Sequence, residues 1–521
     1  MRPARCRPPC ALAGTSHDKR GIMARSLAAP FNEQDSRMSD WKTIIGLEVH
    51  AELLTESKMF SPCPVVDSVE AAPNTAVDPL SLGLPGTLPV VNMQAVEYAM
   101  MVGLALNCEI PPVNQFARKS YFYPDLPKGF QISQYDRPLA VNGYIDIALD
   151  GETKRIRVRR AHLEEDTGKL THEGDGSSLV DYNRAGVPLL EIVSEPDIFS
   201  SAEAEAYSRK LRALLQYLGV NHGDMSKGVL RFEANVSVMH KDDTAFRTRR
   251  EIKNLNSIRS MVRAIDAEVA WQIRQYESGG AVTPATLGWD EAGGKIVVQR
   301  YKERADEYRY FPEPDIPVIE VSRDWVEEVR AHLPELPDAK VVRYTADYGV
   351  TDYEARRLVE DRAIADFFEA MLAEGAPAKQ AVNWMLGGLF RTMNEANVGY
   401  DEIGRIRITP AMLAELIALV QAGTINNTTA NTLLSHMWES GQMPSALVKQ
   451  LGLEQVSDTG VLRETIETVL NANPDMVAGY LAGKDKLIKA LMGQCMAALK
   501  GKGNPQAVTD LLAEALEARR Q

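Results

Sequence analysis

Glu48 and His50 stand two residues apart where Ile45, Leu47 and Val49 alternate with Gly46, Glu48 and His50. Strand side chains alternate between faces, so the two potential ligands project together, about 7 Å apart, while Leu47 and Val49 point to a core. Alone, the pair reads as a solvated strand face. Further acids change that reading: Glu164, Glu165 and Asp166 follow a strand-like run over 155–162, Glu191 sits inside the apolar run 189–193, and Glu233 lies between Phe232 and Ala234. A carboxylate in an apolar strand is costly unless paired or bound to a cation. Should these strands share a sheet, Glu48, His50, Glu164, Glu191 and Glu233 converge. Carboxylates with one imidazole suit a hard cation such as Mg²⁺ better than structural zinc.

Two other clusters are basic. Arg247, Arg249, Arg250 and Lys253 precede a helix start expected at Asn256 or Ser257. Free backbone N–H groups and the helix dipole favour an anion there, so the stretch suits a phosphate; surface ion pairs are the alternative. No G-x-x-x-x-G-K-[ST] loop and no G-x-G-x-x-G helix start occurs, so any nucleotide must be held by another geometry. Near the end, Lys484, Lys486, Lys489, Lys500 and Lys502 share a segment with one acid, Asp485. Leu487, Leu491, Cys495 and Leu499 recur there at helical spacing. Asn504 and Pro505 then open a helix whose N–H groups are expected to be free for phosphate.

These positions need elements to carry them. Alternation over 230–238 predicts a strand like that over 45–50, and helical periodicity predicts helices at 201–218 and 257–276, the first opened by Ser200 and Glu203 as a capping box. Beyond about residue 323 the strand pattern stops and helical segments follow one another. The expected fold is α+β: a mainly-β, mixed domain over 39–322, then an all-helical half made of a domain over 323–453 and a tail over 454–521. With 521 residues and 45% hydrophobic content the chain supplies more than one core. Its apolar runs are too interrupted for a membrane span. Five scattered cysteines, Cys6, Cys10, Cys63, Cys108 and Cys495, give no disulfide framework and fit a reducing, cytoplasmic compartment. A net charge of −13 argues against coating nucleic acid through a global positive field and leaves room for local basic contacts.

Residues 1–38 differ in kind. They carry seven basic groups against three acids, a balance of +4 beside −17 for the rest, without periodic apolar pattern. The expectation is a disordered extension or a mis-assigned start, with Met38 as the natural first residue.

The longer strings are similar to a known family. Gly46-Leu-Glu-Val-His-Ala-Glu-Leu53, Ser120-Tyr-Phe-Tyr-Pro-Asp-Leu-Pro-Lys-Gly-Phe-Gln-Ile-Ser133, His162-Leu-Glu-Glu-Asp-Thr-Gly-Lys169, Pro188-Leu-Leu-Glu-Ile-Val-Ser-Glu-Pro-Asp197, Glu251-Ile-Lys-Asn-Leu-Asn-Ser257 and Tyr308-Arg-Tyr-Phe-Pro-Glu-Pro-Asp315 occur in the order found in the GatB family, B subunits of tRNA-dependent amidotransferases (GatCAB). The resemblance spans about 41–521, and the last part resembles the family's YqeY-like domain. It implies an N-terminal catalytic cradle and a subunit that uses ATP and Mg²⁺ to phosphorylate the side-chain carboxylate of Glu-tRNA(Gln) or Asp-tRNA(Asn). Ammonia then displaces the phosphate. Carried over by motif, the metal ligands are His50, Glu164 or its neighbour Glu165, and Glu191, with Glu48 and Glu233 at a second ion or an outer shell. Glu48, His50, Glu164 and Glu191 become the catalytic candidates, and the tail lysines the tRNA contacts.

No glutamine-hydrolysing signature occurs, so the resemblance implies that ammonia comes from an amidase subunit, GatA, with the small GatC completing a heterotrimer and no membrane involved. One departure concerns zinc. Many relatives bind it through two cysteine pairs, where this chain has Ser61-Pro-Cys63 and Asp78-Pro-Leu-Ser81, so no zinc is expected. Two rivals remain. A ligase for a free amino acid needs no tail over 454–521, and a non-catalytic tRNA-binding or scaffold subunit needs no carboxylate cluster.

Overall fold

The computed structural model describes residues 40–149, 151–173, 176–301, 308–454, 459–499 and 503–520. The expected extension over 1–38, Lys500 and Lys502 lie outside them.

The described strands begin with β1 (Trp41–Glu52), β2 (Val113–Asn114), β3 (Ala117–Ser120), β4 (Phe130–Ser133) and β5 (Ala140–Leu149). They continue with β6 (Glu152–Glu165), β7 (Lys169–His172), β8 (Ser178–Asp181), β9 (Pro188–Ser194) and β10 (Leu230–His240). The series ends with β11 (Arg250–Leu255), β12 (Ala285–Asp290), β13 (Lys295–Tyr301), β14 (Phe311–Pro312) and β15 (Ile319–Glu320). Eight of them form one sheet in the order β13-β12-β11-β10-β1-β9-β6-β5, antiparallel throughout except for β11 with β12. A smaller sheet, β14-β3-β4, contributes Ser133 and Lys119 near the site described below.

The large sheet has one apolar and one ionisable face. Leu47, Val49 and Ala51 of β1 are fully buried, as are Leu230, Ala234, Val236 and Val238 of β10. They join one core with Tyr207, Leu211 and Leu215 of the helix Ser201–Leu218 and Met261 and Ile265 of the helix Ile258–Glu277. Each large apolar side chain so buried stabilises the fold by about 1.5–3 kcal/mol. Both helices start where expected. Ser200 Oγ accepts the Glu203 N–H at 3.1 Å, while Glu203 reaches back to the Phe199 N–H rather than closing the box on Ser200.

The chain is α+β as expected, with a helical C-terminal half. The helix Arg323–Ala331 buries Val329 in the first core, which thus reaches past residue 322. A second core holds Tyr344, Phe368, Leu389, Leu413 and Met437, and a third, in the tail, Leu462, Ile466, Leu491, Cys495, Leu512 and Leu516. No helix among the described residues is long and apolar enough to cross a membrane.

Candidate metal centre and nucleotide cavity

Cross-strand register assembles the acids. His50 lies opposite Glu191 of β9, and Glu191 opposite His162 of β6. Glu48 lies opposite Glu233 of β10, and Asn235 opposite Glu251 of β11. These side chains share the parity of Glu48 and His50, so all project from the face away from the helices. Two groups result, each with ligating atoms within 4.8 Å of one another: His50, Glu164 and Glu191; and Glu48, Glu233 and Glu251. His50 Nε2 is 3.3 Å from Glu191 Oε2 and 3.9 Å from Glu164 Oε1. Ser133 Oγ donates to Glu164 at 3.2 Å, and Asn235 Nδ2 to Glu48 at 2.8 Å.

Glu165 joins neither group. One residue on from Glu164 it projects the other way, pairs with Lys128 and accepts the Ile132 N–H at 2.9 Å. Glu251 lies in a run that reads from sequence as the lead-in to a helix, but it belongs to a strand, and Glu251-x-Lys253 carries the same two-residue period as Glu48-x-His50.

A cavity of about 1240 Å³ opens over these groups, with Glu48, Glu191 and Glu251 among its lining and Arg159, Arg160, Arg247, Arg249, Lys253 and Arg300 around them. The four cations expected to hold phosphate therefore separate. Arg249 and Lys253 face the cavity, Lys253 Nζ lying 2.6 Å from Glu233 Oε2 and 3.5 Å from Glu251 Oε1. Arg247 lines it too, but is paired with Asp243 and lies over the Trp41 and Tyr276 rings. Arg250 must be removed from the set: it is buried on the opposite face, 3.0 Å from Glu268 Oε1 and over the Trp271 ring. Arg159, Arg160 and Arg300, absent from the sequence reading, supply cavity charge from β6 and β13.

Burial alone would push the His50 imidazole down, but Glu191, with Glu233 and Glu164, outweighs it and lifts it to about 9. His162 has the opposite balance: burial, helped by Arg160, Lys119 and His50, overcomes Glu191 and lowers it to about 4. Burial raises Glu164, and the neighbouring Glu191 adds to the rise. Glu191 itself is held well below the carboxylate range despite burial, because His162, His50 and Lys119 surround it. Glu48 is raised by burial and by Glu191, Glu233 and Glu251. Acids that cannot all ionise cheaply beside one another are what a divalent cation relieves. The donor set fits such an ion, and His50 Nδ1 is buried without a hydrogen-bond partner among the described residues.

The positions where the resemblance would put zinc ligands hold a different arrangement. Ser81 Oγ donates to Asp78 Oδ2 at 2.6 Å, and the fully buried Lys58 ammonium lies 3.9 Å from the same oxygen. One thiol, one carboxylate, two hydroxyls and a buried ammonium do not suit zinc.

In the tail Lys484, Lys486 and Lys489 are exposed at the start of the helix Leu487–Ala498. The expected free N–H groups after Asn504 are not free: Asn504 Oδ1 accepts from Gln506 N at 3.0 Å and Ala507 N at 3.1 Å. A side-chain cap satisfies the donors that an anion would need.

Comparison with known proteins bears on this geometry directly. The GatB/GatE catalytic domain matches residues 43–327, and the GatB domain matches 366–516. The chain belongs to the GatB family. It is 49% identical to the B subunit of the aspartyl/glutamyl-tRNA(Asn/Gln) amidotransferase of Herpetosiphon aurantiacus, over 91% of this chain and 98% of the relative. The protein of that name from Caldicellulosiruptor saccharolyticus is 49% identical over 92% and 99%, and that from Geobacter sulfurreducens 47% over 92% and 100%. As a GatB-family member the chain is one component of an amidotransferase, a carbon–nitrogen ligase. Both acidic groups fall inside the catalytic-domain match.

Proposed function

We propose that this GatB-family chain amidates misacylated tRNA, converting Glu-tRNA(Gln) or Asp-tRNA(Asn) to the cognate amide with ATP and Mg²⁺. Its partners are an amidase subunit, GatA, that releases ammonia from glutamine, and the small subunit GatC. The observation that carries this reading is that two acidic groups meet one cation-walled cavity, the first through Glu191 and the second through Glu48 and Glu251.

A carboxylate resists nucleophiles, whereas an acyl phosphate does not. The aminoacyl carboxylate oxygen attacks the γ-phosphorus of ATP, the bond to the bridging oxygen breaks, and ADP leaves. Ammonia then attacks the acyl carbon, the carbon–oxygen bond to phosphate breaks with its electron pair, and the nitrogen loses a proton to water. His50, Glu164 and Glu191 would hold one divalent ion and Glu48, Glu233 and Glu251 a second; when bound, such ions supply charge neutralisation for the transferring phosphoryl group. Arg249 supplies a donor fork for phosphate oxygens and Lys253 a point charge, whereas the Arg159 fork is already held by Glu195. A Cβ placed on Gly46 would meet no atom within 4 Å, so the cavity floor is open beside Glu48.

The test is the assembled complex carrying His50→Ala or Glu191→Ala. Each should lose tRNA-dependent ATP hydrolysis while the complex assembles and the partner's basal glutaminase survives. Full transamidation by either variant overturns the proposal.

A further inference from the structure

His162 has no part in the function proposed above, yet it touches two of its proposed ligands. It sits on β6 directly across from Glu191, which His50 faces from the other side, so Glu191 stands between two imidazoles in one row across three strands. His162 is 3% exposed, with Nε2 3.7 Å from Glu191 Oε2 and 3.9 Å from Glu164 Oε2. It falls outside the compact set formed by His50, Glu164 and Glu191, whose ligating atoms lie within 4.8 Å of one another.

We propose that His162 is a positioning residue that aims the Glu164 and Glu191 carboxylates at the divalent cation without binding it. Its Nδ1 is buried with no hydrogen-bond partner among the described residues, so none of them selects the tautomer from behind the ring. The selection falls to Nε2, which faces two carboxylates; a proton there is attracted, whereas a lone pair would be repelled. At 3.7 and 3.9 Å the Nε2–H lies beyond hydrogen-bond length from both acids and acts on them as an oriented dipole, leaving their lone pairs for the ion. Groups that orient ligands in this way typically govern affinity by about 10–100-fold. His50 differs because it belongs to the compact set, with Nε2 3.3 Å from Glu191 Oε2.

The inference rests on the reading of His50, Glu164 and Glu191 as a metal site, so the experiment separates the two. Mn²⁺ alone, titrated into the full chain and followed by loss of the free-ion electron paramagnetic resonance signal, reports binding without activity. Glu191→Ala tests the site, His162→Leu removes the donor, and His162→Gln keeps an N–H at similar reach. Glu191→Ala should abolish binding, His162→Leu should weaken it by about 10–100-fold, and His162→Gln should recover most of that loss. Parent-like binding by His162→Leu beside a dead Glu191→Ala overturns the role of His162 and leaves the site standing. Equal weakening in the Leu and Gln variants also overturns it, since packing and not the donor would then matter. Parent-like binding by Glu191→Ala removes the site and the inference together.

Discussion

Lys253 Nζ lies 2.6 Å from Glu233 Oε2, so a side-chain cation already serves the second acidic group. It is also 3.5 Å from Glu251 Oε1, and with burial opposing, Glu233 and Glu251 lift it above the usual lysine range. A divalent ion entering among Glu48, Glu233 and Glu251 must compete with that ammonium. Nucleotide phosphate would draw Lys253 away and free the acids. Mn²⁺ should therefore fill one site tightly in the parent chain and a second only with a nucleotide present. Lys253→Gln should take two ions without nucleotide while binding ATP about tenfold or more weakly, as expected when one charge-assisted hydrogen bond is removed. Counting bound Mn²⁺ with and without ADP checks this.

The pH dependence of metal binding has a defined sign. His50 is raised from 6.5 to about 9, so in the metal-free chain it carries a proton through neutral pH, and a ligating imidazole must shed it. Glu164, raised by burial and by Glu191, works in the same direction. Mn²⁺ affinity should climb between pH 6.5 and 9, by up to about tenfold per unit for each proton released, and level off above. The metal-free fold behaves oppositely. Because the folded His50 value lies above the unfolded one, its contribution to stability is complete below pH 6.5 and disappears as pH rises through about 9. Melting curves with and without Mn²⁺ across this range should converge at low pH and separate at high pH.

Arg249 and Arg250 are neighbours with separate consequences. Arg250 is buried against Glu268 and Trp271, so Arg250→Ala leaves an unpaired carboxylate and should cost about 3–5 kcal/mol of stability. Arg249 lines the cavity in the open, so Arg249→Ala should leave the melting temperature near the parent's and raise the KM for ATP several-fold. Denaturant unfolding and ATP titration of the two variants distinguish them.

The same pair shows how much was legible beforehand. Alternation placed β1 and β10 and gave the facing of Glu48, His50 and Glu233, because half-buried strands advertise their period. Ser200 marked one helix start through cap chemistry, and Asn256 or Ser257 bracketed the other, whose cap is Ser257. What could not be read was register. That His50, Glu191 and His162 share one row depends on pairing β1 with strands far along the chain, and no local pattern encodes it. Arg247–Lys253 misled for a different reason: a run of cations looks like one cluster until a strand's two-residue period sends Arg250 one way and Glu251 and Lys253 the other.

The tail tests how a chain this acidic meets a polyanion. With −17 beyond residue 38, long-range attraction cannot supply affinity for tRNA, so binding must be concentrated where positive charge is in local excess. Lys484, Lys486 and Lys489 stand exposed, whereas Leu491, Cys495 and Leu499 of the same segment face the tail's own core. That core includes Leu462, Ile466, Val508, Leu512 and Leu516, all from within the tail, so removing 454–521 exposes none of the first core's apolar residues. The helix start at Pro505 adds little attraction, because Asn504 occupies two of its N–H groups. The lysines must then dominate. Changing Lys484, Lys486 and Lys489 together to Ala should weaken binding of misacylated tRNA and reduce its salt slope by about one unit for each phosphate that is no longer neutralised. Deleting 454–521 should raise the KM for tRNA at least as far, with assembly and ATP affinity unchanged. Binding measured at two salt concentrations decides it: an unchanged slope in the triple variant would place the phosphate-binding groups elsewhere, on the helices between Arg323 and Leu451.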